Sequence, residues 1–180
     1  AADGSDTVKV VSSHLRIGAN ATLQGAEVIL AATDEVRLES GSVVNGTGSG
    51  GAGRDLTIGS ATADGDGALL RVSGGAAANL TRSNTDSNRG DRAVGSGATL
   101  AASGSMMLDA TRNMDMDGAL GTFNKDKVLT NVGSGVALAV AAGRISLGEP
   151  DGGAGVTEGL WLTETQFNTL ETAASLKLRS

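Results

Sequence analysis

No cysteine occurs among the 180 residues, which excludes disulfides and thiolate metal sites. Histidine occurs once, at His14, so a histidine-based metal cluster cannot form within the chain. A Ser-His-Asp triad would have to use that same residue, and no serine sits in a nucleophile-elbow motif. His14 therefore reads as a surface side chain. Two Phe, one Trp and no Tyr leave no set of aromatic platforms for stacking bases. The net charge of −6, with Lys and Arg scattered, lacks the basic patch of a nucleic-acid binder. No apolar run approaches the ~18 residues of a membrane span, so no membrane insertion is expected. The opening AADGSDTVKV has no basic region leading into an apolar stretch, and no signal peptide is read in it.

What is present is a beat. Short apolar pairs recur about every seven residues, separated by small polar residues and 28 glycines. Leu15/Ile17, Leu23, Val28/Leu30, Val36/Leu38 and Val43/Val44 open the series. The i, i+2 spacing within a pair suits a strand that sends two side chains to one face. Three beats make a unit of roughly twenty residues, in the range of solenoid repeats. Period-2 patterning of this kind is foreign to flexible glycine-rich linkers. The expected fold is all-β, a right-handed parallel β-helix (β-solenoid) of about six coils, with residues 1–180 one segment of a longer repeat protein. Stacked strands lie about 4.8 Å apart, so six coils would make a rod on the order of 30 Å long.

Two polar stretches interrupt the beat and read as loops, Asn45–Arg54 and Thr81–Asp91. Near the C-terminal end, Thr163-Glu164-Thr165-Gln166 has capping-box spacing, with Phe167 and Leu170 following on one face. That pattern predicts a short inserted helix from Glu164 to about Thr172, with Trp161 at its mouth.

Candidate chemistry is thin. Asp64-Gly65-Asp66-Gly67 has the opening of a calcium loop, without the further acidic ligands of an EF-hand. A turn between Ile58 and Leu70 would use the same residues. Asp115 and Asp117 alternate with Met114 and Met116, so both carboxylates should face outward from one strand. Paired acids can serve glycoside hydrolysis, with Arg112 nearby, but a solvated strand face is the preferred reading, because no aromatic wall for sugar rings lies nearby in sequence. GTGSGGAG lacks the strand–GxGxxG–helix context of a phosphate site. Three sequons begin at Asn20, Asn45 and Asn79. Arg89-Gly90-Asp91, in the second loop, is a tripeptide that integrin-type receptors recognise in other proteins. No catalytic residue, cofactor or resident metal is expected.

Two stretches carry a resemblance. GALLRVSGGAAANLTRSNTDSNRGDRAVGSGATLAASGSMMLDAT, Gly67 to Thr111, resembles the repeat region of large bacterial exoproteins of the filamentous-haemagglutinin type. GRISLGEPDGGAGVTEGLWLTETQFNTLETAASLKLRS, Gly143 to Ser180, is similar to the same family, including a short helix after a GL-apolar-L strand. The resemblance implies a secreted, cell-surface β-helical shaft in adhesion or biofilm formation, exported by two-partner secretion through an outer-membrane protein. Its expected partners are a host-cell or matrix receptor or a surface polysaccharide. A β-helical polysaccharide-cleaving enzyme and a passive spacer carrying a distal toxin or binding tip are the other readings. Two departures stand out. The Asn-Pro-Asn motifs of the family's secretion domain are absent, the one proline being Pro150, which points to an interior length of shaft. All four methionines fall in MMLDATRNMDMD, where aliphatic residues would be expected at Met106, Met114 and Met116. Met can fill core sites, and introduced replacements would give the same cluster.

Overall fold

The structure, a computed structural model, describes residues 5–7, 12–133, 135–148 and 158–180. Pro150 and its neighbours lie outside the described residues. The fold is all-β with one short helix, and most strands pair in parallel.

Strands β2 (His14–Ile17), β3 (Thr22–Gly25) and β4 (Glu27–Ala32) each begin a different sheet. The chain then returns to the first of these sheets: β5 (Glu35–Leu38) lies parallel to β2, with His14 opposite Glu35. β6 (Val43–Gly46) lies on β3, with Thr22 opposite Val43, the same 21-residue step. Further on, β10 (Asp91–Val94), β11 (Thr99–Ala102) and β12 (Ser105–Ala110) add to the same three sheets in the same order. β13 (Met114–Met116), β14 (Ala119–Phe123) and β16 (Ala137–Ala141) do so again. β17 (Ile145–Leu147) and β18 (Leu160–Leu162) extend the first sheet, and β19 (Ser175–Arg179) extends the third.

Alternation explains the placement. Leu30, Val36, Leu38, Val44, Leu100, Leu108 and Leu138 are all buried in one cluster shared by the three sheets, and Leu15 and Leu178 pack on its two ends. The methionines fit the same scheme: Met106, Met114 and Met116 point into this core. Of the pair Val43/Val44 only Val44 is buried.

The segment from residue 47 to residue 90 departs from six uniform coils. β7 (Asp55–Ile58) and β9 (Asn79–Arg82) pair in parallel in a separate sheet with β1 (Ser5–Thr7). β8 (Ala68–Ser73) runs antiparallel between β4 and β12. Leu56, Ile58 and Leu80 therefore leave the main core and form a second one with Leu69 and Met107, on the outer face of β4, β8 and β12. The physical reason is that ALLRVS is buried on both faces, Ala68, Leu70 and Val72 on the inner one and Leu69, Arg71 and Ser73 on the outer one. Such a strand needs a cover on each side. The glycine-rich stretch makes the detour sterically feasible. A Cβ on Gly74 would collide with the Gly48 carbonyl, and one on Gly104 with that of Gly75. These backbones pass closer than any side chain permits. A hairpin strand, β15 (Leu129–Thr130), pairs antiparallel with β14. It leaves Val128 58% exposed.

The helix follows its sequence signature. α1 (Glu164–Leu170) starts at Thr163, whose hydroxyl accepts from the Gln166 amide, and Gln166 reciprocates. Leu170 is buried and Phe167 packs partly against the main core. The helix ends two residues before Thr172.

Candidate functional site

The two loops singled out by their acidic residues meet each other. Asp66 is 2% exposed and accepts hydrogen bonds from the backbone amides of Ser87 (3.1 Å) and Asn88 (3.2 Å). Burial pushes its carboxyl up, and the Asp86 carboxylate beside it adds to the rise. Asp64 accepts from the Asp66 amide at 2.8 Å and pairs with Arg89. The aspartates thus tie the turn around residues 59–67 to the loop at 83–90. Among the described residues no cluster of three His, Cys, Asp or Glu could hold a metal ion.

The Arg-Gly-Asp tripeptide is built into the same junction. Arg89 faces Asp64 and Asp34. Gly90 is buried with φ of 96°, and Asp91 is the first residue of β10. The Arg112 guanidinium grips the Asp91 carboxylate (Nε to Oδ1 2.9 Å) and holds its pKa below the ordinary range. Both charged ends of the tripeptide are therefore engaged internally. At Gly90 an added Cβ would meet Thr111 Oγ1 and lie 2.6 Å from the Gly67 carbonyl oxygen. Gly90→Ala is expected to cost about 2 kcal/mol or more, since left-handed backbone and close packing both oppose it. A urea midpoint equal to that of the parent would mean the junction is looser than described.

The outer face of the first sheet holds the other candidate pair. Met114 and Met116 point inward, so Asp115 between them and Asp117 beyond are exposed. Met114 is in register with Leu160, which sets Asp115 beside Trp161 on the outer face. Ala93 flanks Asp115 on one side, and Ser146 flanks Trp161 on the other. The Trp161 indole is half-buried and its Nε1 donates to the Gly148 carbonyl at 2.5 Å, which fixes the ring. Gln166, at the start of α1, donates to the Met116 carbonyl at 3.0 Å and closes one end. The result is a groove of ≈ 330 Å³ lined by Asp115, Asp117, Trp161, Thr163 and Gln166, among others. Partial burial, and then the nearby Asp117 charge, raise the Asp115 pKa. Asp115 and Asp117 share a strand in the sequence, but an aromatic wall 44 or more residues away could not be inferred from local spacing. Arg112, the third member of the expected acid–base set, is spent on Asp91 and the Asn88 carbonyl and does not line the groove.

The remaining candidates are dispersed. His14 is exposed on β2, at 4.0 Å from Asp34. Asn20 is exposed in a turn with φ of 60°. Asn45 donates to Gln24 at 3.4 Å and Asn79 to Asp55 at 3.0 Å, both on outward strand faces.

Sequence reasoning missed the buried charges. Asp109 is 2% exposed and is held by Arg82 (2.6 Å) and Arg179 (3.2 Å). Arg71 is 1% exposed and reaches Glu27 (2.6 Å), Ser105 Oγ (2.8 Å) and the Ala76 carbonyl (3.1 Å). Both lie in the seam between the third sheet and its cover. Their signal was a charged residue beside a large apolar one, Leu69 or Met107, on the second face of a strand, as in ALLRVS and SMMLDA.

No family model, no curated protein and no solved structure matches the chain.

Proposed function

We propose that this chain is a length of shaft from a secreted bacterial surface exoprotein of the filamentous-haemagglutinin type, mediating attachment or biofilm formation without catalysis. Its path is a right-handed parallel β-helix. The observation that carries this reading is the repeated visiting order, in which successive passes add strands to the same three sheets around one apolar interior. Parallel connections of this kind are right-handed in the great majority of folds, which supports the hand. An interior filled by one or two side chains per strand leaves the outer faces free to vary, as an attachment surface requires.

Export through an outer-membrane partner and exposure at the cell surface follow from the family resemblance. The receptor reading moves away from Arg89-Gly90-Asp91, whose charges are engaged internally, and towards the sheet faces. Polysaccharide cleavage by Asp115 and Asp117 is the second reading, favoured by the Trp161 groove and weakened by the engagement of Arg112 elsewhere.

Two measurements test the proposal. Small-angle scattering should give an elongated particle whose length grows, at constant cross-section, as flanking repeats are included. The purified chain should compete with bacterial attachment to cells or matrix in a dose-dependent way. A cross-section that grows with length would overturn the shaft, and undiminished attachment would overturn the adhesive role. Reducing-sugar release from a polysaccharide panel would replace both with the enzyme.

A further inference from the structure

We infer that the groove between β13 and β18 binds an extended glycan carrying free amino groups, with Trp161 as the stacking surface and Asp115 and Asp117 as the amine acceptors. This deepens the attachment reading by naming the chemistry of its ligand.

The argument begins with the indole. A tryptophan on the outer face of a sheet, its ring fixed through Gly148, presents an apolar plane beside polar groups. Such a plane suits the C–H face of a pyranose, while the neighbouring groups meet its polar substituents. The groove volume of ≈ 330 Å³ lies within the range of small-ligand sites. Small residues continue the floor on both sides, Ala93 before Asp115 and Ser146 after Trp161. The row crosses the strands at their spacing of about 4.8 Å, close to the advance of one sugar in an extended glycan. A chain laid along this row can therefore place successive sugars over successive strands.

Charge selects the kind of glycan. Neither Asp115 nor Asp117 has an ion-pair partner among the described residues, whereas Arg37, further along the row, is engaged by Glu35 and Glu39. Two neighbouring carboxylates repel an acidic polysaccharide, and a neutral one leaves their mutual repulsion in place. An ammonium between them relieves it and makes charge-assisted hydrogen bonds. Partial burial, and then the Asp117 charge, raise the Asp115 pKa, and the Arg37 charge offsets that rise only in part.

Trp161 is the only tryptophan and tyrosine is absent, so intrinsic fluorescence reports on this groove directly. Titration with a glucosamine hexamer at low salt should shift the Trp161 emission to saturation. Asp115→Asn and Asp117→Asn, both at exposed positions, should fold normally and each weaken binding by about fivefold, the scale of one partly exposed charge pair. The N-acetylated hexamer should bind more weakly by at least as much. No saturable change overturns the inference. Equal binding of the N-acetylated hexamer overturns the amine contacts. Equal competition by poly-lysine of matched charge reduces the site to a general cation patch and overturns the glycan. Full affinity in both Asn variants places the ligand elsewhere. Failure here with attachment still inhibited by the chain leaves the shaft reading standing and removes only its ligand.

Discussion

Leu108→Asp should unfold the stacked sheets together, while Asp115→Ala leaves the melting curve almost unmoved. Leu108 is fully buried in the main core, in register with Leu70 on one side and Val140 on the other. A carboxylate there must either stay charged without water or take up a proton. Either route costs several kcal/mol, roughly 4 or more. For a chain of this size that corresponds to a drop of about 8–16 °C in the melting midpoint. The loss should be cooperative, because Leu108 belongs to one buried cluster shared by the three sheets. Asp115 lies seven residues on and faces the opposite way, where a truncation stays within about 0.5 kcal/mol. Thermal denaturation followed by circular dichroism checks both variants. Equal losses would mean that Leu108 does not face the core or that Asp115 does not face solvent.

Inward and outward positions were legible wherever a strand had one wet face. Leu15/Ile17, Val36/Leu38, Met114/Met116 and Leu160/Leu162 all lie where period-2 alternation puts them. The helix was legible as well, since its cap is encoded within four residues. Failure set in where both faces are dry. In ALLRVS and SMMLDA alternation places Leu70/Val72 and Met106/Leu108 inward correctly, but it does not reveal that the opposite face, with Leu69 and Met107, is buried as well. Nothing local reveals that β8 runs backwards, as its direction depends on where residues 47–67 carry the chain. The loops failed for a related reason. Residues 83–90 read as a free polar excursion, yet Asp66, some 20 residues upstream, anchors their backbone. The groove required Trp161 and Asp115 to be neighbours, a consequence of register between β13 and β18 and not of spacing along the chain.

Arg92→Met should stabilise the protein, by about 1–4 kcal/mol on the scale of buried charges exchanged for apolar residues of similar volume. Arg92 occupies an inward position of β10, between Asp91 and Ala93, both half-buried, and is 1% exposed. Its strand neighbours in register are Val36 and Met114. The guanidinium Nη1 reaches only the Met114 sulfur, at 3.7 Å, and Nε and Nη2 find no partner among the described residues. Burial pushes its pKa down to about 9, with the Asp109 charge opposing the shift. The sign of the pH dependence follows. Below about pH 9 the guanidinium is charged in both the folded and the unfolded chain, and the full desolvation cost is present. Above that, the folded protein releases the proton while the unfolded chain still holds it. Stability contributed at this position therefore rises with pH towards the ordinary arginine range. Methionine removes the titrating group and fills the same space with a side chain already used at Met114 and Met116. Denaturant unfolding of the two proteins at pH 7 and at pH 10 should give a stability gap favouring the variant that narrows at the higher pH. A variant less stable than the parent at pH 7 would mean that the guanidinium has a partner strong enough to repay its burial. A gap that stays constant with pH would mean that Arg92 keeps its proton inside the core.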